Sequence, residues 1–423
     1  MNVLVIGSGG REHAISQKIG MSSKLDKLFI IPGNPGTSGI GENIPLNMLN
    51  NQEVLDFCFS KAIDLVVIGP EMPLVNDLAS VLRENNIRVF GPDAAAAAIE
   101  GDKAFAKELM QKYNIPTAAF RIFKKTDYET ALSYTAAISY PVVIKASGLA
   151  AGKGVLICMN REEAEAALKE CFDDEVFGQA GDTIVIEDFM QGREASIFAV
   201  TDGQNFICLP AAQDHKRIGD NDTGKNTGGM GAYAPAPLVT PGIMETVEES
   251  IIIPTLAAME KEGRKFVGCL YCGIMITSEG PKVVEFNCRF GDPETQAVLQ
   301  LLDGDFLQLL YSAADGVLDK ASVIYNGGSA VTVVLAAKGY PDQYPKGMEI
   351  TGLDAITDPD VKVFHAGTKQ AGAKVFTNGG RVLNVTAFIP ENDLNKCREK
   401  AYNAVQTICF DDMYFRTDIA ARI

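Results

Sequence analysis

Apolar residues fall in short blocks along the first hundred positions, each followed by a polar or glycine-rich break. Val3–Ile6, Lys27–Ile31, Asp64–Ile68 and Arg88–Phe90 are predicted strands, and Arg11–Ile19, Gln52–Ser60 and Leu74–Glu84 predicted helices. This strand–helix alternation predicts a doubly wound parallel sheet. Its strands run into the loops Gly7-Ser8-Gly9-Gly10, Pro32-Gly33-Asn34-Pro35-Gly36 and Gly69-Pro70-Glu71. Ligands of such sheets bind outside the carboxyl ends of the strands.

An alanine run, Ala94–Ala98, begins a helical linker into Asp102–Lys112. The pattern then changes. Strands are predicted at Ala119–Phe123, Val142–Lys145, Val155–Cys158, Thr183–Glu187, Glu194–Val200 and Phe206–Leu209, with helices at Tyr128–Ala137 and Arg161–Cys171. The polar stretch Asp214–Tyr233 reads as a long loop, followed by a helix, Gly242–Glu262, and paired strands, Val267–Thr277 and Pro281–Asn287. From about Ser322 the chain is mainly β, with strands at Ala330–Ala336, Ala373–Phe376 and Arg381–Phe388 and a closing helix, Asp393–Thr407.

A length of 423 residues suggests two to four domains, and 47% hydrophobic with 22% charged residues is ordinary for a soluble globular protein. No apolar stretch reaches the ~18 residues of a membrane helix. Met1–Gly7 moves straight into a strand without a basic leader, so no export signal is expected. A net charge of −16 argues against a nucleic-acid surface. The nine cysteines offer only one Cys-x-x-Cys, Cys269-Leu270-Tyr271-Cys272, in an apolar run, which points to reduced core thiols and a cytoplasmic protein. His13, His215 and His365 form no zinc set.

Four segments carry candidate chemistry. Gly7–Glu12 invites a dinucleotide-binding reading, but Glu12 replaces the third glycine and no acid ends the second strand. An N–H cradle for a phosphate or small anion at the helix start fits better. Lys145–Gly154 joins two strands with small residues and two lysines, Lys145 and Lys153, around Gly152. Backbone N–H groups and ammonium charge there suit a polyphosphate, although Gly154 after the lysine excludes a Walker A loop. Glu187-Asp188-Phe189 ends an apolar strand that can face a base, and Glu194 could accept from ribose hydroxyls. Lys216, Arg217 and Lys225 stand among glycines and asparagines in the Asp214–Tyr233 loop, which favours an anion-gripping loop over a plain linker.

The fourth segment, Glu285–Glu294, is the most informative. Side chains two apart on a strand share a face, so Glu285, Asn287 and Arg289 should line up. A carboxylate and an amide oxygen suit a hard ion such as Mg²⁺, and a guanidinium grips a carboxylate or phosphate.

Together these pieces resemble the ATP-grasp superfamily. Gly7–His13, the Asp214–Tyr233 loop and Arg289–Glu294 resemble, within it, the phosphoribosylamine–glycine ligases, and the likeness runs in order through essentially the whole chain. It implies an α/β N-terminal domain at 1–102, an ATP-grasp α+β domain at 103–320 with an ATP lid at about 120–190, and a mainly β domain at 321–423. It implies ATP, with Mg²⁺ or Mn²⁺, and glycine and 5-phosphoribosylamine as small-molecule partners. The products it implies are glycinamide ribonucleotide, ADP and phosphate, expected to form through a glycyl phosphate in the second step of de novo purine synthesis. A cytoplasmic monomer, without nucleic acid or membrane, is expected.

Residue by residue, the resemblance assigns Glu285 and Asn287 to the metal, and Lys103, Lys145, Gly152, Lys153, Glu187, Phe189 and Glu194 to ATP. Arg289 becomes the grip on the glycine carboxylate or acyl phosphate, with Asp214 and Lys216 beside the chemistry. Gly9, Gly10, Arg11, Gly69, Pro70 and Glu71 fall to the phosphoribosyl end, with Asp292 and Glu294 as further substrate contacts. One departure stands out. Many ATP-grasp enzymes carry a second acidic metal ligand on the preceding strand, and Cys269–Met275 has none. The metal should then depend more on phosphate and water oxygens. Another ATP-grasp ligase, such as a bicarbonate-using carboxylase, and a non-catalytic nucleotide-binding regulator are the rival readings.

Overall fold

The computed structural model describes residues 1–150, 154–174 and 176–422. Its N-terminal region is a five-stranded sheet ordered Glu42–Asn43, Lys27–Pro32, Asn2–Gly7, Leu65–Ile68, Arg88–Phe90. Every pairing is parallel. Both faces are covered. Leu4, Ile6, Phe29, Ile31, Val66 and Ile68 pack into one core, and Val3, Val5, Leu28, Ile30, Leu65 and Val67 into another. Burial on both faces is why these strands read as unbroken apolar runs. The order reverses beside Asn2–Gly7, so the loops after that strand and after Leu65–Ile68 flank the crevice where such sheets bind ligands.

Two antiparallel sheets follow. The first, ordered Phe120–Lys124, Thr183–Asp188, Val142–Ala146, Val155–Cys158, has its own core with the helix Arg161–Phe172. The second is ordered Phe206–Cys208, Arg193–Thr201, Gly268–Thr277, Gly280–Asn287. The mainly β C-terminal region centres on Ser329–Ala337 and Arg381–Ile389, backed by the helix Leu394–Val405. No helix among the described residues is long and apolar enough to cross a membrane.

Three expectations need correction. The helix expected at Leu74–Glu84 is two, Glu71–Val75 and Leu78–Glu84. Asp77 between them adopts φ 59°, and the Asn76 side chain donates to Leu49 O at 2.9 Å. An Asn-Asp pair favours such a break because both tolerate the left-handed region. Asp214–Tyr233 is not structureless. Arg217–Gly219 and Thr223–Asn226 form a hairpin, while Gln213–Asp214 and Gly231–Ala234 join the C-terminal sheet, the latter pairing with Ser329–Ala337. The helix expected at Gly242–Glu262 runs from Pro241 to Lys261 with a wide π turn at Glu248–Ile252. That turn lies just before Pro254, whose missing N–H disfavours the regular ladder.

Candidate active site

A cleft of about 1670 Å³ is lined by residues of the N-terminal loops, both antiparallel sheets and the C-terminal region. One end is cationic and partly apolar. Lys145 lies on the strand Val142–Ala146, its ammonium 3.0 Å from Glu187 and donating to Val284 O at 3.0 Å. Lys103 opens the helix Lys103–Lys112, capped by Asp102, and donates to Gly148 O at 3.1 Å. Burial lowers the Lys103 pKa, an effect Glu285 partly offsets. Phe189 lines the wall with Val143 and Ile157, an apolar surface suited to a flat base. Gly152 and Lys153 lie outside the described residues.

Glu187, expected at the base, lies near the end of the strand Thr183–Asp188, just before Phe189. It is buried, and its carboxylate is held by both Lys145 and Lys107, the latter at 2.9 Å. Glu194, expected at a ribose, lies in the cleft wall and is 2.8 Å from Lys216.

The centre of the cleft is the end of the strand Gly280–Asn287. Phe286 points into the core, while Glu285 and Asn287 share the half-buried face. Arg289 follows two residues beyond the strand, and its Nη2 donates to Asn287 Oδ1 at 3.3 Å. Burial would raise the Glu285 carboxyl, but Lys216, Lys145, Lys103 and Arg289 hold it below the ordinary carboxylate range. About 31% of its side-chain surface still opens to the cleft. An ionised carboxylate beside an amide oxygen is a hard-oxygen donor set that fits Mg²⁺ or a similar ion. Among the described residues no cluster of three His, Cys, Asp or Glu could complete a protein cage. Gly273 pairs opposite Glu285, where a Cβ would press on the Glu285 side chain at 3.3 Å. The neighbouring strand therefore offers space rather than a second acid.

The other end gathers alternating charges. Arg289 Nη2 donates to Glu100 Oε1 at 2.9 Å, and its Nε, without a hydrogen-bond partner among the described residues, is 3.6 Å from Glu71. Despite burial, Glu100 and Glu71 raise the Arg289 pKa and keep the guanidinium charged. Glu294 Oε1 accepts from Ser196 and from Tyr271, each at 3.0 Å. Asp214 Oδ1 is buried without a hydrogen-bond partner among the described residues. Burial, reinforced by Glu294, pushes the Asp214 carboxyl well above its usual range, with Lys216 and Arg381 opposing. A buried carboxyl with an open acceptor, beside a second carboxylate, suits an ammonium or amine. Burial would lower the Lys216 ammonium, but Glu194 and Glu285 reverse this and hold it above its ordinary value.

The expected phosphate cradle at the first helix is a correction. Gly9 N–H donates to Glu12 Oε2 at 2.6 Å, and Arg11 N–H to Asp292 Oδ2 at 3.3 Å. Protein carboxylates thus occupy donors that an incoming anion would use. Glu12, almost fully buried, also explains the glycines: a Cβ at Gly7, Gly9 or Gly69 would collide with its side chain. Gly10 packs against Asn384 and Gln296. Of the eight substrate-binding candidates, Gly10 and Gly69 do not line the cleft, whereas Gly9, Arg11, Pro70, Glu71, Asp292 and Glu294 do.

Three residues escaped the sequence reading. Lys107 lies one turn beyond Lys103, a spacing that puts both on one helix face and could have been noticed. Glu100 ends the alanine-rich helix, where a buried acid is unexpected. Arg381, from the C-terminal region, donates to Gly228 O at 2.6 Å and Asp292 O at 2.7 Å, and no local signal marks it.

Comparison with known proteins bears on this arrangement. The Phosphoribosylglycinamide synthetase N domain family matches residues 1–100, the ATP-grasp (A) domain residues 101–295 and the C domain residues 330–422. The phosphoribosylamine–glycine ligase of Mesorhizobium japonicum is 48% identical over 419 residues, covering 99% of this chain and 97% of its own. The crystal structure of the phosphoribosylamine–glycine ligase of Thermotoga maritima superposes with a TM-score of 0.84 at 35% identity, covering 99% of this chain and all of that one. A biotin carboxylase from Campylobacter jejuni shares the fold alone, with a TM-score of 0.72 at 16% identity over 98% of this chain and 92% of its own. From its N-terminal sheet to its C-terminal sheet, the chain belongs to the phosphoribosylamine–glycine ligase family.

Proposed function

We propose that this enzyme joins glycine to 5-phosphoribosylamine with hydrolysis of ATP to ADP and phosphate, forming glycinamide ribonucleotide in the second step of purine biosynthesis. One observation carries the reading. Glu285 is held ionised by Lys103 and Lys145 from the nucleotide end and by Lys216 and Arg289 from the substrate end. Its position suits the transfer of a phosphoryl group between two anionic substrates.

A carboxylate is a poor acyl donor and needs activation. A glycine carboxylate oxygen attacks the γ-phosphorus, the bond from that phosphorus to the ADP oxygen breaks, and glycyl phosphate forms. The amine of phosphoribosylamine then attacks the glycyl carbonyl, the C–O bond to phosphate breaks, and the nitrogen loses a proton. Such transfers depend mainly on positioning and charge neutralisation. Lys103 and Lys145 would hold the phosphates, Phe189 the base, and Arg289 the glycine carboxylate. Asp214 would accept from the glycine ammonium. Glu285 and Asn287 would hold Mg²⁺ or Mn²⁺, which supplies positive charge to the phosphate oxygens when bound. Arg11, Glu71, Asp292 and Glu294 would line the phosphoribosyl end. Nine unpaired cysteines, seven of them buried, support a reducing, cytoplasmic setting.

The test is turnover. ADP release should require glycine and phosphoribosylamine together and yield glycinamide ribonucleotide. ATP hydrolysis independent of glycine, without that product, would refute the reading.

A further inference from the structure

The cleft's nucleotide end contains a buried charge set that the reaction above does not use in full. Lys107 and Lys145 share one carboxylate, Glu187, at 2.9 and 3.0 Å. Their side chains keep only 3%, 5% and 2% of their surface exposed, in that order. Lys107 also donates to Thr117 Oγ1 at 2.7 Å, and its ammonium lies 5.6 Å from the Phe120 ring centre. Burial lowers its pKa to about 8, so the side chain stays mostly protonated near neutrality.

Two ammonium groups on one carboxylate leave a net charge of +1. Burying such an excess is unfavourable unless an anion compensates it. Both lysines line the cleft: Lys145 lies on the strand Val142–Ala146, and Lys107 is further anchored to Thr117. If Lys145 alone faced Glu187, the pair would be neutral and the lysine would contribute little field to a neighbouring phosphate. With Lys107 present, Glu187 is already compensated.

We propose that Lys107 is a positioning residue that keeps Glu187 charge-compensated, so that Lys145 presents its full positive charge to the polyphosphate of the nucleotide. Lys107 thereby sets a preference for nucleoside polyphosphates over nucleosides without touching the phosphates. The inference rests on reading this end of the cleft as the ATP site.

Calorimetric titration of the full-length enzyme with ATP and with adenosine tests it. Lys107→Met should weaken ATP binding about tenfold while adenosine affinity changes less than about twofold. Lys107→Arg should stay close to the parent. Adding Glu187→Gln to Lys107→Met removes the charge that needs compensation and should restore most of the preference for ATP over adenosine. Lys107→Gln repeats the measurement if the Met variant does not fold. Equal weakening of ATP and adenosine, unchanged ATP binding, or no recovery in the double variant would each overturn the role given to Lys107. Failure of the parent enzyme to bind ATP would instead remove the reading of the site.

Discussion

Glu100 and Arg289 form a buried ion pair, with Oε1 accepting from Nη2 at 2.9 Å, while the second oxygen of Glu100 accepts from Cys288 N–H at 2.7 Å. One carboxylate thus fixes both the guanidinium and the backbone that carries it. Glu100→Gln keeps the shape but removes the charge. If Arg289 grips glycine, the KM for glycine should rise about tenfold with the KM for ATP nearly unchanged, since a charged hydrogen bond contributes about 1.5–3 kcal/mol. Steady-state kinetics in each substrate reads this out, and an unchanged glycine KM argues against the pairing as a positioning device.

Removing the carboxylate at the centre of the cleft gives a second expectation. Glu285→Ala should lower kcat by about a thousandfold or more, because phosphoryl transfer depends on charge neutralisation there. Far-UV circular dichroism and the melting temperature should stay near the parent, as the side chain lies on the open face of its strand. Chelation of divalent metal should silence the parent enzyme equally. Near-normal turnover in the variant would remove Glu285 from the metal site.

The N–H of His365 donates to His13 Nδ1 at 2.9 Å and ties the C-terminal sheet to the first helix. Burial, with a smaller effect from His365, lowers the His13 pKa to about 3, and burial lowers that of His365 to about 4. Above pH ~6.5 both rings are neutral in either state and their contribution is flat. As pH falls, the unfolded chain takes up protons that the folded chain refuses. Stability should decline by about 1.4 kcal/mol per pH unit for each ring until the folded values are reached. His13→Asn, whose amide oxygen can replace Nδ1 as acceptor, should flatten the decline between pH 6 and 4 by about one proton's share. Urea titrations across that range measure the slope, and an unchanged slope would contradict the assignment.

A fourth prediction concerns the glycines around Glu12. Gly69→Ala puts a methyl group into the Glu12 carboxylate and should destabilise the fold by about 1–3 kcal/mol. Adding Glu12→Ala to Gly69→Ala relieves the collision, so the two changes should be non-additive in denaturant midpoints. Additive losses would show that the glycine serves something other than Glu12.

The parallel sheet was legible because strands buried on both faces carry unmistakable apolar runs. Glu285 and Asn287 were legible because period two puts them on one face, and the structure brings Lys103, Lys145, Lys216 and Arg289 around them. The Asp214–Tyr233 segment was misread for a definite reason. Its polar, glycine-rich composition matches a loop, whereas Gly231–Ala234 gain their strand character from pairing with Ser329–Ala337, far along the chain. Gly7–Glu12 was read as an N–H cradle for an anion, and the acceptors of the Gly9 and Arg11 N–H groups are the protein's own Glu12 and Asp292. Arg381 was invisible because tertiary packing alone carries it to Asp292.

Asp214 and Tyr233 belong to a sheet whose central strand is not synthesised until the chain has built the hairpin that carries Glu285 and Asn287. The polypeptide leaves that sheet at Ala234 and returns to it at Ser329. Neither part can therefore melt by itself without stripping strands from the other. Heating should give one cooperative transition across these regions, and a nucleotide held only in the middle of the molecule should lend protection to amides at its C-terminal end.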